Sequence, residues 1–406
     1  MFGTATLIRE LKFPQQVFLN KKTKHNMRVL SPNTVVKLDA YHLAIPLVQP
    51  YHLSKVYGTM THSNAVIVRV RTESGVEGWG EADPGGLLFT GDTCELVMQS
   101  IRDGGAKRVL GHCVEEWVEN SEGLNNHGSI GAALDVAMYD ALAKTRRQPL
   151  WTLLGEKCRD TIDLLWPTSS GTAVEDLNVI KPRINNGFHT FMLKMGSRSV
   201  EDDLVRMREV VQTLPSNVRV MVDANQGWSL EEALTFFDGI GDLPLVLIEQ
   251  PVKADDHESL IRLRKVSPVP VSVDESLQTV EDARLIAKKK AASVFSIKVS
   301  KNGGLRTGLE IGHIAQENGI SVLMNSMLEL GITQCASLHL GCVLHNILDC
   351  GHAYMSTLRM SDDITDFSDF IHQGKAGLPS GPGLGIRVDE RKIKKYLKEE
   401  FNAKYE

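Results

Sequence analysis

No stretch of this sequence approaches the roughly 18 consecutive apolar residues that a membrane helix needs. No stripe of lysine and arginine marks a nucleic-acid surface either. Cysteine is scarce and scattered: Cys94, Cys113, Cys158, Cys335, Cys342 and Cys350 form no CxxC pair. That speaks against a zinc ribbon or a disulfide framework and suits a reducing compartment. The 13 histidines include no HExxH spacing. Residues 1–30 lack the apolar core and cleavage site of a secretory signal, and Glu10 argues against a transit peptide, so a cytoplasmic location is expected. The net charge of -5 is dispersed, and short basic runs such as Lys288-Lys289-Lys290 read as solvated helix faces. What remains is a chain of 406 residues, 42% hydrophobic and 23% charged. Such a chain is globular, with room for a barrel of about 250 residues and a second domain.

The pattern divides in two. Residues 34–49 and 64–71, followed by GVEGWGEA, alternate as an antiparallel meander with a turn at 73–75. From about Cys94 to Leu154 the apolar residues recur at helical steps, and Leu154-Gly155 closes the block. Beyond it, candidate strands near 162–167, 190–194, 218–223, 245–249, 270–274, 294–298, 321–325 and 347–349 alternate with helical segments. The expected fold is therefore α/β: a (β/α) TIM-type barrel behind an N-terminal α+β capping domain. The expected organisation is an extension over 1–33, the cap over 34–155, the barrel over 156–375, and a Gly/Pro-rich segment over 376–406 returning to the cap.

Five charged residues each close one of these apolar runs: Lys194, Asp223, Glu249, Asp274 and Lys298, at intervals of 29, 26, 25 and 24 residues by subtraction. One strand, loop and helix fill each interval, which brings all five to the C-terminal mouth where barrel chemistry sits. An acid ending a strand is ordinarily a helix cap or turn residue. Three in phase on consecutive strands are harder to attribute to capping. Asp223, Glu249 and Asp274 offer hard oxygen ligands that suit Mg²⁺, with Mn²⁺ as its substitute. Lys194 and Lys298 flank them as acid/base groups for a carbon α to a substrate carboxylate, whose enolate a metal would stabilise. Asn225 and Gln250 are expected to support the ligands. Ser326 and Glu329 fall at the end of the seventh strand. Asp349 closes the eighth, as a partner for a cationic substrate group or a helix cap. Lys301 reads as a cap or a solvent contact, and Trp228 as packing.

The order KMG, DANQGW, LIEQP, VDES and KVSKNGG resembles the enolase superfamily, specifically its muconate-lactonizing (mandelate racemase/muconate cycloisomerase) subgroup. GVEGWGEA, IGAALDVAMYDALAK, LWTLLGE, SMLELGI and PSGPGLGI extend the resemblance over about residues 34–390. It implies a capped, modified barrel with Mg²⁺ on Asp223, Glu249 and Asp274, and lysines on the second and sixth strands at Lys194 and Lys298. It also implies a small carboxylate substrate, no nucleic-acid or membrane partner, and a homo-oligomer. Two cap loops, around Pro50–Thr61 and Gly85–Thr93, would select the substrate. Two departures stand out. Met192 replaces the first lysine of the subgroup's K-x-K, and only Asp349 remains of the paired D-x-D of its dipeptide epimerases. The expected function is a Mg²⁺-dependent cycloisomerase or racemase/epimerase. The alternative is a dehydratase of a hydroxy acid or hydroxyproline/betaine-like substrate, and last a non-catalytic barrel.

Overall fold

Period-two alternation builds the centre of the molecule. In a computed structural model that describes residues 30–120 and 128–406, seven parallel strands run in sequence order. They are β5 (Leu165–Pro167), β6 (Thr190–Lys194), β7 (Arg219–Asp223), β8 (Leu245–Glu249), β9 (Val271–Val273), β10 (Val294–Ile297) and β11 (Ser321–Met324). Residues 1–29 of the expected extension, and 121–127 within the expected helical block, lie outside the described residues. Inward positions Leu165, Met192, Met221, Leu247, Val294 and Leu323 form a buried apolar cluster with Cys350 and Ala353. Outward positions such as Phe191, Val222, Ile248 and Phe295 join the larger core beneath the helices.

Those helices are α4 (Ala173–Asn185), α5 (Val200–Thr213), α6 (Leu230–Ile240), α7 (His257–Val266), α8 (Val280–Lys289), α9 (Leu305–Glu317) and α10 (Gly331–Val343). Three start with reciprocal capping boxes, Thr172 with Glu175, Ser229 with Glu232 and Thr279 with Asp282, each satisfying two orphan donors. Among the described residues no helix is long and apolar enough to cross a membrane.

The eighth strand expected at 347–349 is not regular. The segment 346–353 instead stitches the two edges together: Leu348 N donates to Val322 O at 2.9 Å and Leu165 N to His352 O at 2.9 Å. The reason is steric. At Gly351 an added Cβ would lie 2.4 Å from the Leu164 carbonyl carbon, so the chain crosses that edge too closely for extended pairing. His352 pins the seam, with Nδ1 accepting from Met324 N and Nε2 donating to Leu348 O, both at 3.0 Å. His339 does the same between Trp151 N (3.2 Å) and Leu384 O (3.0 Å).

Neither imidazole can gain a proton without breaking a bond. Burial pushes both down to about 4 from the ordinary 6.5. The unfolded chain protonates these groups below pH 6.5, whereas the folded chain resists until about 4. Their contribution is therefore present above pH 6.5 and is lost as pH falls from 6.5 to 4, by up to about 3 kcal/mol per histidine. Urea midpoints are expected to fall steeply between pH 7 and pH 4.5, with the loss reduced in His352→Gln. An unchanged midpoint would refute the assignment.

The cap is a four-stranded antiparallel sheet built from β1 (Val35–His52), β2 (Thr59–Thr72) and β3 (Glu77–Ala82), with β14 (Leu397–Lys404) on the far side of β1. Helices α1 (Cys94–Ser100), α2 (Val114–Asn120) and α3 (Gly128–Thr145) pack with it, while α11 (Glu390–Tyr396) leads into β14. The short strands β4 (Thr161–Asp163), β12 (Ile371–His372) and β13 (Lys375–Gly377) form a small separate sheet. The glycines of GVEGWG have a steric purpose. A Cβ on Gly80 would lie 1.9 Å from the Ala133 carbonyl oxygen, so α3 could not lie this close to β3. Cap acids also cap barrel helices. Glu81 accepts from Leu330 N (2.6 Å) and Thr333 N (2.8 Å) at α10, and Asp135 accepts from Leu305 N (2.6 Å) at α9. Neither helix has a side-chain cap of its own.

Candidate active site

The alternation that seals the barrel also aims its chemistry. Two residues beyond the apolar floor, the next inward positions are Lys194 after Met192, Asp223 after Met221 and Glu249 after Leu247. Strand register places Lys194 beside Asp223 and Asp223 beside Glu249. Glu249 pairs with Ser272, and Asp274 lies two residues further along the same face. On β10 the inward row runs Val294, Ser296, Lys298. The five expected residues thus converge at the strand ends, and all are buried.

Lys194 donates to Asp223, and Lys298 donates to Asp274 at 2.6 Å. Lys301, expected to cap a helix or meet solvent, is instead buried against Asp274. Its Nζ lies 2.8 Å from Oδ1 and 2.6 Å from the backbone carbonyl of that residue. Burial opposes the charge on Lys194, but Asp223 above all holds its amine above the ordinary range. Lys298 shows the same balance, with burial outweighed by Asp274. Lys301 falls below the ordinary range because burial wins. Among the described residues no lysine is paired with Glu249. Its Oε1 accepts from Ser296 Oγ at 3.2 Å and Asn325 Nδ2 at 2.9 Å. Burial, then the charges of Asp223 and Asp274, push its carboxyl well up.

Among the described residues no three acidic, histidine or cysteine side chains close on one point as metal ligands do. Asp223 and Asp274 are turned onto lysines instead. The donor set nonetheless suits a hard divalent cation. It comprises three buried carboxylates on adjacent strand ends, the middle one repelled by both neighbours, with hydrogen bonds steering it.

The supporting residues sort by position. Asn225 lines the cavity, and its backbone N–H donates to Asp223 Oδ1 at 2.8 Å. Gln250 lies behind the row, its Oε1 accepting from Asp274 N at 2.9 Å. Both adopt left-handed backbone, with φ of 43° and 33°. Such strain in non-glycine residues gathers where a loop must re-aim a functional side chain. Ser326 lines the cavity and donates to Glu329. Glu329 is buried behind it, also accepting from Gln334 Nε2 at 3.1 Å.

Asp349 does not reach the mouth. Its side chain is fully exposed beside Arg219, which opens β7, so it lies at the opposite end of the barrel. The irregular crossing at 346–353 explains this: past Asp349 the chain first reaches the cavity at Ala353, and it lines it again at Met355, Ser356 and Arg359.

The cavity has a volume of about 430 Å³ and lies under both expected cap loops. Tyr51, Leu53, Tyr57 and Met60 come from one, and Gly85 to Phe89 and Thr93 from the other. The Phe89 ring sits 4.6 Å from Lys298 Nζ. The Tyr57 hydroxyl donates to Glu275 Oε1 at 3.1 Å. Burial, then Asp274, raises Glu275 to about 8. Ser296 and Asn325 carried a readable signal, because each is one inward step from an apolar floor residue. Tyr57 and Glu275 carried none.

Comparison with known proteins agrees with this arrangement. Residues 37–155 match the family "Mandelate racemase / muconate lactonizing enzyme, N-terminal domain", and residues 178–392 match "Enolase C-terminal domain-like". Muconate cycloisomerase 1 of Rhodococcus opacus is 30% identical over 90% of this chain and 99% of its own. The L-Ala-D/L-Glu epimerase of Bacillus subtilis is 29% identical over 87% and 96%. The crystal structure of the muconate lactonizing enzyme from Pseudomonas fluorescens, complexed with muconolactone, superimposes with a TM-score of 0.86. It is 28% identical and covers 91% of this chain and 100% of its own. The chain therefore belongs to the mandelate racemase/muconate lactonizing enzyme family of the enolase superfamily, and it is an enzyme.

Proposed function

We propose that this isomerase moves a proton at the carbon α to a small-molecule carboxylate, with Lys194 and Lys298 as its acid/base pair and Asp223, Glu249 and Asp274 as ligands for Mg²⁺. The observation that carries the reading is the placement of two buried lysines in one cavity, one at each end of the carboxylate row. Bound there, Mg²⁺ supplies positive charge to offset the negative charge that develops on the substrate carboxylate. Once Asp223 and Asp274 serve as ligands, Lys194 and Lys298 lose their compensating partners. Burial then lowers both amines toward the range in which one can accept a proton and the other can give one. The cap loops line the cavity with Leu53, Met60 and Phe89, apolar surface that limits water at the reacting carbon once substrate fills it.

The reading spans cycloisomerisation, in which one lysine protonates the enolate, and racemisation, in which both take part. The cycloisomerase and epimerase relatives lie on either side of that choice. Dehydration is less well supported, because Glu329 is held by Ser326 and Gln334 and is not among the residues lining the cavity.

Incubation in D₂O with Mg²⁺ and pooled muconates, N-acyl amino acids, dipeptides and proline betaines tests the reading. The expected result is deuterium at the α-carbon without loss of water, abolished by EDTA and restored by Mg²⁺. A keto-acid product would favour the lyase. A melting temperature that does not respond to Mg²⁺, together with no exchange, would refute the proposal.

A further inference from the structure

A second cavity, of about 570 Å³, adjoins the first, and Pro167 and Arg359 line both. Arg359 ends a short 3-10 turn, Ser356–Arg359, that is fastened to the cap where Ser361 N donates to Pro46 O at 2.9 Å. Its Nη1 donates to Pro167 O at 2.7 Å, and its guanidinium carbon sits 3.8 Å from the Tyr51 ring centroid and 5.6 Å from that of Trp166. On Trp166 it meets a second arginine: the Arg183 guanidinium carbon is 3.6 Å from the same ring centroid.

Two guanidiniums share one indole, and among the described residues neither has a carboxylate partner. Arg183 Nη1 donates only to Val179 O at 2.7 Å, and its Nε is buried without an acceptor. The acids that line the second cavity are committed elsewhere. Asp176 takes Arg206 in a two-pronged pair at 2.7 and 2.9 Å, and Glu175 caps Thr172. Burial, then the charge of Arg359, pushes Arg183 down to about 10, and burial lowers Arg359 as well. Like charges with no counter-charge, beside cavities large enough for a ligand, leave a place for an anion. The planar fork of arginine matches a carboxylate. The location also matters, because Pro167 pairs in register with Met192. That strand position carries no ammonium, so the cation facing this part of the mouth comes from Arg359.

We propose that Arg359, backed by Arg183 across Trp166, is an anion-recognition site that holds the distal carboxylate of a substrate whose reacting end lies between Lys194 and Lys298. The inference rests on the proton-transfer reading above and narrows it to substrates acidic at both ends.

Calorimetric titration of the full chain with Mg²⁺ tests it, using the dicarboxylates from succinate to suberate, each beside the monocarboxylate of equal length. One length is expected to bind about 10- to 100-fold more tightly than its monocarboxylate, the range of one charge-assisted hydrogen-bonded contact. In Arg359→Met that ratio should fall to about the twofold statistical factor of a symmetric ligand, and in Arg359→Lys it should be partly retained. No preference in the unmodified chain, or a preference that survives in a cooperatively melting Arg359→Met, would overturn the proposal. Should that variant not fold, Arg183→Met carries the same test, and an unaltered ratio there overturns the proposal. Exchange at the α-carbon in D₂O reads the other proposal separately. Exchange without a dicarboxylate preference defeats the anion site alone. A preference lost in Arg359→Met supports the anion site even where no exchange occurs.

Discussion

Lys194→Ala and Lys298→Ala are each expected to lower turnover about 10²- to 10⁴-fold, the usual contribution of a positioned general acid or base. The more informative outcome concerns handedness. The two amines sit at opposite ends of the carboxylate row, on β6 and directly after β10, so each addresses a different face of a substrate held over that row. With a chiral substrate, one variant should retain α-deuterium exchange from one enantiomer and the other variant from its mirror image. NMR of the separate enantiomers in D₂O reads this directly. Loss of both enantiomers in both variants would mean that the lysines act on one face together. A cycloisomerase would show a different asymmetry, because one lysine delivers the proton and only its removal would eliminate the reaction.

Glu249→Gln should abolish activity and stabilise the metal-free protein at the same time. The carboxylate is fully buried and meets Asp223 and Asp274 with no lysine paired to it among the described residues, so its charge is unfavourable until a cation arrives. The amide keeps an oxygen for Ser296 and Asn325, which both address Oε1, and gives up only the longer 3.2 Å contact from Asn325 to Oε2. Relief of the repulsion should raise the metal-free stability by about 1–3 kcal/mol. Weakened ligation should lower turnover by about 10³-fold or more, which is several kcal/mol of lost charge stabilisation. Thermal melts with EDTA and with Mg²⁺ check both parts. The unmodified chain should gain stability with Mg²⁺, and the variant should gain little. A variant less stable than the unmodified chain in EDTA would show that Glu249 is held by its hydrogen bonds and not opposed by its neighbours.

The sequence was most readable where one periodicity carried two requirements. A barrel strand must alternate, and its last inward residue must face the mouth, so Lys194, Asp223, Glu249 and Lys298 could be placed by counting. The same counting failed at the eighth strand. Nothing in ILDCGH announces that Gly351 crosses the Leu164 backbone, and Asp349 was therefore expected at the wrong end of the barrel. Lys301 went unread for a related reason. Three residues after Lys298 it resembles a helix start, whereas the turn folds it back onto Asp274. Arg359 carried no local signal, because its surroundings come from β1, β5 and α4, which are distant in sequence.

The pairing of β1 with β14 also dictates when the enzyme can become complete. Lys37 lies opposite Lys404, so the cap sheet joins strands separated by nearly the whole length of the chain. Until β14 leaves the ribosome, β1 presents an unpaired edge, while the barrel that it will cover has already been synthesised. A contact of such sequence separation forms slowly. The far end of β1 carries Tyr51 over the cavity. Catalytic competence should therefore trail the emergence of β14, and the exposed edge of β1 is where nascent chains would meet one another or a chaperone.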